Sequence, residues 1–358
     1  GGSNTLRVRV SLRPPNYVNK INKMNIKNVL YNFLLVIFAT IIALILVELF
    51  LRLNNQGPWG NLDNQRNDPT INKPHENLGW IPNQGTYYFE PFSDEGKGFT
   101  VNILEDGSRA VKHKNQNTSS DELIFLGGSI TLGWGVNDEQ TFASKLQKKI
   151  NNYSIKNFSA GGYGTYQLFL RLEELLSQNK NIKTVVLIYV PNHATRNIGD
   201  EFWLRTLTKF SKRGYVGLPY ASINENNELV RHKPIKYIRT PFMESIAISN
   251  KIAKRIMRSK LKGNDEKKFL VTNVIFSEIK KITEKNNKKL IIANISGDEE
   301  AFKPYSKTFK NSKIDHFSCI IKRTSDLVIK GDGHPNSLMH TMFSECMHDN
   351  LKNFIRLS

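Results

Sequence analysis

Leu123-Ile124-Phe125-Leu126-Gly127-Gly128-Ser129-Ile130-Thr131 is a short apolar run that stops at two glycines and a serine. Such a run reads as a buried strand ending in a sharp turn. The turn presents its serine at the carboxyl edge of a sheet, where α/β folds place their chemistry. Working outward, the same unit returns about every thirty residues: apolar strand, Gly-rich turn, amphipathic helix.

The pattern predicts strands at 122–127, 154–158, 184–190 and 289–294, with a short one near 325–330. Helices are expected near 138–152, where Phe142, Leu146 and Ile150 recur, then at 165–178, 268–286 and from Ser337 to Phe354. Strands alternating with helices argue for a parallel sheet covered on both faces, a three-layer α/β/α sandwich. Upstream, Phe99, Val101 and Ile103 alternate with polar residues, and Asp106-Gly107 suits a hairpin turn. Residues 197–265 break the rhythm with Phe202-Trp203, Tyr215, Tyr220, many basic residues and a helix near 245–260. They read as an insertion over the sheet.

One segment speaks to location. From Asn28 to Val47 no residue is charged. The span 29–53 is long enough to cross roughly 30 Å of hydrocarbon as a helix. A cleavable signal would be shorter and would end in a small-residue site; here the run ends in Glu48-Leu49-Phe50-Leu51-Arg52. Arg7, Arg9, Arg13, Lys20, Lys23 and Lys27 precede it without an acid. Basic flanks stay cytoplasmic. The expected order is a basic cytoplasmic N-terminus at 1–28, a transmembrane helix at 29–53, a stalk at 54–97, and a periplasmic or extracellular domain at 98–358. Gly1-Gly2-Ser3 reads as a cloning remnant. The stalk is rich in Asn, Gly and Pro, interrupted by Trp59, Trp80, Tyr87, Tyr88 and Phe89.

The net charge is +19, of which +6 belongs to residues 1–53. Such a balance invites a nucleic-acid reading, but the lysines are scattered among asparagines and no recognition motif appears. Attraction to anionic lipid or acidic polysaccharide suits an exported domain better. The two cysteines, Cys319 and Cys346, allow one disulfide or none. His316 with Cys319, and Cys346 with His348, lack the tight repeated pairs of a zinc site. No metal or cofactor is expected.

Four turns after four strands carry chemistry suited to acyl transfer. They hold Ser129, the run Asn157 to Thr165, Pro191-Asn192-His193, and Asp332-Gly333-His334-Pro335-Asn336. Ester cleavage needs a nucleophile, a base, an acid to orient the base, and donors for the oxyanion. This set supplies each.

With these motifs the chain resembles the SGNH hydrolase (GDSL-like esterase) family from about Phe99 to Phe354. Leu126 to Val136 looks like its first block, which implies that Ser129 is the nucleophile and its N–H an oxyanion donor. The family often writes Asp before this serine, where Gly128 stands here. Asn157 to Thr165 resembles the second block, with Gly162 as the implied backbone donor and Ser159 in place of a glycine. A one-residue ambiguity with Gly161 stays open. Pro191-Asn192-His193 resembles the third block, which implies an oxyanion role for the Asn192 amide; the family usually writes Asn-Asp. Asp332-Gly333-His334 resembles the last, with His334 as base and Asp332 as the acid. His340 reads as a packing residue.

The resemblance implies a Ser-His-Asp esterase acting on an extracytoplasmic ester, such as an acylated carbohydrate or lipid. Two rivals stand beside it. One is an O-acyltransferase on cell-surface polysaccharide, which would need a membrane acyl-donor partner. The other is a non-catalytic binding or assembly module.

Overall fold

The computed structural model describes residues 1–2, 26–59, 68–112, 121–178, 180–209, 217–261 and 264–357. Ser3, the basic residues Arg7 to Lys23, and Tyr215 of the insertion lie outside the described residues. The chain opens with helix α1 (Ile26–Leu53), followed by β1 (Asn72–His75), β2 (Gly79–Pro82), β3 (Gly85–Phe89) and β4 (Phe99–Ile103). The alternating part runs β5 (Glu122–Leu126), α2 (Ser129–Leu132), α3 (Phe142–Gln147), β6 (Ser154–Asn157), α4 (Thr165–Gln178) and β7 (Ile182–Tyr189). Then come α5 (Asn192–Asn197), α6 (Glu201–Lys209), β8 (Leu218–Ile223), β9 (Leu229–Ile235) and α7 (Ala247–Lys260). The last stretch holds α8 (Lys268–Lys285), β10 (Lys289–Asn294), α9 (Ser306–Asn311), β11 (Asp315–Ser318) and α10 (Ser337–Leu351).

Five strands form one sheet in the order β11-β10-β7-β5-β6, and every neighbouring pair is parallel. Read from β6, this is the 2-1-3-4-5 order of flavodoxin-like sheets. The order reverses between β5 and β7, so a crevice opens there at the carboxyl ends.

Period-two alternation divides the strands between two cores. Ile124 and Leu126, Val185 and Leu187, and Leu290 and Ile292 point to one face, against Leu168, Leu172 and Phe169 of α4 and Ile275 and Phe276 of α8. Leu123 and Phe125, Val186 and Ile188, and Ile291 and Ala293 point to the other, against Phe142 and Leu146 of α3 and Met339, Phe343 and Met347 of α10. Both faces being covered explains why β5, β7 and β10 read as continuous apolar runs. The fold is the expected three-layer α/β/α sandwich.

Two elements differ from expectation. The strand expected near 325–330 is absent; Val328 makes a single bridge to Pro335, and the fifth strand is β11. β11 is a short edge strand with one buried side chain, Phe317, so it carries no apolar run to see. The helix expected over 138–152 is a short 3-10 turn, Asp138–Gln140, followed by α3, because Thr141 stops the first and caps the second by accepting from Ser144 N–H. Asp106-Gly107 does turn the chain back on β4, with Leu104 N–H donating to Ser108 O and Ala110 N–H to Asn102 O, but the returning arm is too short to form a strand. β4 pairs with β3 upstream, and after the turn Arg109 makes only single bridges, to Ile103 and Asn157.

Residues 72–89 carry three strands, and Leu78 and Trp80 enter the main core. Cys319 and Cys346 form a disulfide with Cα atoms 5.9 Å apart, tying the end of β11 to α10. α1 has a mean hydropathy of 3.0 over its most apolar window and is exposed over its uncharged run, and by length and composition it is apolar enough to cross a membrane. Among the described residues no cluster of His, Cys, Asp or Glu could hold a metal ion.

Candidate active site

Ser129 follows β5 through Gly127 and Gly128 and begins α2. A β-carbon on Gly127 would sit 2.0 Å from Thr131 Oγ1, so only glycine lets the chain turn this tightly. His334 and Asp332 lie in the loop before α10, which Asn336 starts by accepting from Leu338 and Met339 N–H. The loop is closed on itself: Ile329 N–H donates to His334 O and Gly333 N–H to Ile329 O.

The structure brings Ser129, His334 and Asp332 together across 205 residues of sequence. His334 Nε2 stands 2.8 Å from Ser129 Oγ. His334 Nδ1 stands 2.5 Å from Asp332 Oδ2, which also accepts the His334 backbone N–H at 3.2 Å. A carboxylate beside Nδ1 holds the proton there, leaving Nε2 free to accept from the serine hydroxyl. Burial alone would raise the Asp332 carboxyl. Hydrogen bonds and charge from His334, with a further bond from Trp134, outweigh it and hold the group below its ordinary value. Asp332 is thus ionised at neutral pH.

These three residues line a cleft of about 510 Å³ with Gly128, Thr131, Asn192, His193, Arg196 and Arg323. Asn192 begins α5 at the end of β7, beside the point where strand order reverses, and its side chain is exposed. Gly162 is placed elsewhere on the same edge, in the turn after β6, and is not among the cleft-lining residues. A β-carbon there would lie 3.0 Å from the Trp203 ring and 3.3 Å from the Trp80 ring. Trp80 Nε1 donates to Gly161 O at 3.0 Å, and Tyr163 OH donates to Trp80 O at 2.5 Å. Arg196 donates to Tyr163 O at 3.0 Å and lies 4.2 Å from the centre of the Trp203 ring. The segment before the sheet and the one after α5 thus each contribute a tryptophan to this turn.

His193 is buried, and its Nδ1 faces Thr165 Oγ1 at 3.4 Å. Burial, and then the Arg196 charge, push its imidazole well below the ordinary histidine value, so it is neutral. His340 is likewise neutral: burial first, then Arg109, Lys145 and His334, bring it down to about 3. Its Nδ1 accepts from Phe142 N–H at 3.2 Å, a packing role. Burial lowers Arg196 to about 10, still cationic at neutral pH.

Arg109 is absent from the sequence-based candidates, yet it holds the serine's surroundings. Its guanidinium is fully buried, pairs with buried Asp138 at 2.9 Å, and donates to Leu132 O, Gly133 O and Val136 O. Asn157 adds a bond from Nδ2 to Thr131 O at 2.7 Å. A charged residue defaults to the surface in a sequence reading; only its place just after the Asp106-Gly107 turn hinted at a structural use.

No protein-family model matches the chain, and no curated protein matches it. Among solved structures it is similar to that of TesA, at 14% identity over 66% of this chain and 100% of that one, with a TM-score of 0.39. It is also similar to the esterase EstA from Pseudoalteromonas sp., inhibited by monoethylphosphonate, at 13% identity over 67% and 98%, TM-score 0.38. A third is the M. smegmatis aryl esterase in its inhibitor-bound form, at 9% identity over 66% and 100%, TM-score 0.39.

Proposed function

We propose that this chain is a serine esterase of the SGNH type, anchored by α1 and acting on an ester outside the cytoplasm. The observation that carries the reading is the unbroken hydrogen-bond chain from Ser129 through His334 to Asp332 in one cleft. His334 Nε2 takes the proton as Ser129 Oγ attacks the ester carbonyl. The N–H groups of Ser129 and Gly162 and the Asn192 amide are the donors for the tetrahedral oxyanion. His334 then protonates the departing alkoxide, leaving an acyl-serine. Water, deprotonated by the same imidazole, releases the acid. Asp332 orients the ring and balances its charge.

Arg196 and Arg323 line the cleft along with Asp298 and Asp332, and the two guanidinium groups are the feature that would suit an ester carrying negative charge, such as an acidic carbohydrate or lipid headgroup. The Cys319–Cys346 disulfide fits an oxidising compartment. The basic residues before α1 support a cytoplasmic N-terminus; an alkaline phosphatase fusion after residue 60 should then be active in a bacterial host, and an inactive fusion reverses the orientation.

Labelling of the purified chain by a fluorophosphonate tests the chemistry. Ser129 should be labelled, and both Ser129→Ala and His334→Ala should lose label and nearly all turnover of short acyl esters, because nucleophile and base act as one unit. Unlabelled parent protein would leave the fold with a binding or assembly role. Product analysis with a sugar acceptor present separates hydrolysis from O-acyl transfer, which would need a membrane acyl-donor partner.

A further inference from the structure

The end of α1 is bonded to the start of α7. Glu48 accepts from the backbone N–H of Ala247 at 2.8 Å and of Ile248 at 3.0 Å. Arg52, itself bonded to Glu48, donates to Ser245 O at 2.7 Å. The join continues past α1: Trp59 N–H donates to Met243 O, and Asn250 to Gly57 O. Glu48 is the first charge after the uncharged run 28–47, so it marks the level at which the apolar stretch ends. α7 starts at that level.

α7 carries apolar residues on two sides. Ala247, Asn250, Ala253 and Met257 are buried against the domain. Opposite them, at 100° per residue, Ile248, Ile252 and Ile256 recur at every fourth position and form an outward ridge. Ile252 and Ile256 are 49% and 37% exposed. Arg255 flanks the ridge, and Lys260 follows at its end. Just upstream, Phe242 is 72% exposed with φ of 58°. A bulky aromatic in the left-handed region is a strained outlier. Ile246, on the same turn, is 39% exposed. An exposed apolar ridge, an outturned strained aromatic and a basic flank meet at the end of the apolar helix.

We propose that this face of α7, with Phe242 and Ile246, lies in the headgroup layer of the bilayer that α1 crosses. The proposal rests on reading α1 as a membrane span. An amphipathic helix of this kind buries its apolar ridge at the boundary of headgroups and acyl chains, and its cations meet anionic lipid. The continuous hydrogen bonding between α1 and α7 holds the ridge at that depth. The catalytic domain is thereby fastened against the membrane at two places instead of swinging on a tether.

The test uses the full-length chain in nanodiscs of phosphatidylcholine and phosphatidylglycerol, with the native disulfide intact. Nitroxides are attached at Ile252→Cys and Ile256→Cys. Phe38→Cys within α1 and Leu338→Cys on an exposed part of α10 serve as references. All four positions are exposed in the protein, so labelling leaves the core untouched. Accessibility to oxygen and to a water-soluble nickel chelate is read by power saturation. Labels at 252 and 256 should favour oxygen over nickel, at values between the two references. Arg255→Gln with Lys260→Gln should move them toward water only when phosphatidylglycerol is present. Labels at 252 and 256 that match Leu338, with Phe38 in lipid, overturn the proposal alone. A Phe38 label that matches Leu338 removes the spanning reading and the proposal together. Labels that are aqueous in nanodiscs but shielded in native membranes would assign the ridge to a protein partner instead, and also overturn it.

Discussion

The turn that carries Ser129 and the turn that carries Gly162 stand on one sheet edge and share a backbone bond, but only the second also leans on segments outside the sheet domain. The serine turn is fastened from within the sheet domain, by Asn157 at the end of β6 and by the buried Arg109–Asp138 pair. The glycine turn shares part of that support, since Ser159 N–H donates to Asn157 Oδ1 and Ala160 N–H to Gly127 O, but it is also held from outside, by Trp80 in the segment before the domain and by Arg196 and Trp203 after β7. The first arrangement is a closed polar network with little freedom. The second depends on elements that flank the fold. On the proposed reading of Ser129 as nucleophile and Gly162 as oxyanion donor, nucleophile geometry should survive changes in the flanking segments better than stabilisation of the oxyanion does.

The largest effect expected from breaking this comparison is at Arg109. Arg109→Met removes the cation from buried Asp138 and strips donors from three carbonyls. Breaking a buried pair from one side costs about 3–5 kcal/mol, a large share of the ~5–15 kcal/mol that holds a typical domain. Denaturant melts should show that loss, with slower phosphonate labelling in the fraction that folds. Adding Asp138→Leu should restore part of the stability but not the labelling rate, because the carbonyls of the 132–136 loop stay unbound. Full recovery of both would mean the guanidinium does no more than balance a charge.

A smaller and more selective effect is expected on the other turn. Trp203→Ala uncovers Gly162 and removes the ring beside Arg196 without emptying the core, since Trp203 is only partly buried. Turnover should fall, by less than the roughly 10²–10³ that losing a whole oxyanion donor costs. Labelling at Ser129 should keep most of its rate. An equal fall in labelling would show that the two turns are one mechanical unit.

How far this division was legible in sequence follows from the same physics. β5, β7 and β10 are buried on both faces, so they stand out as apolar runs. β11 is an edge strand, and β1 to β3 are broken by Asn, Gly and Pro, so neither group offers a period to read. Ser129, Asp332 and His334 sit in short motifs whose residue types declare a chemistry, and the fold sets them within hydrogen-bond distance. Arg109 acts through four buried bonds that no local pattern records. The tryptophans over Gly162 come from segments more than forty residues on either side, and only tertiary structure brings them there. The cysteine pair stayed open because spacing does not fix geometry.

The smallest effect expected concerns the two places where the motifs depart from the family pattern they resemble. Gly128 stands where that pattern often has Asp, and His193 where it has Asp. The two are neighbours: a β-carbon on Gly128 would lie 3.4 Å from His193 Nε2 and 3.7 Å from Arg196 Nη1. Gly128 has φ of −88°, which any residue adopts. Gly128→Ala should therefore fold and turn over nearly as the parent does, since 3.4 Å is ordinary contact and the unfolded chain loses freedom. Gly128→Asp is different, because its carboxyl needs the space the neutral His193 ring fills. Its cost should shrink when His193→Ala is present, giving a coupling of about 0.5–3 kcal/mol in a double-mutant cycle. Strict additivity, within about 0.5 kcal/mol, would show that the departures arose independently and that the imidazole does not dictate the glycine.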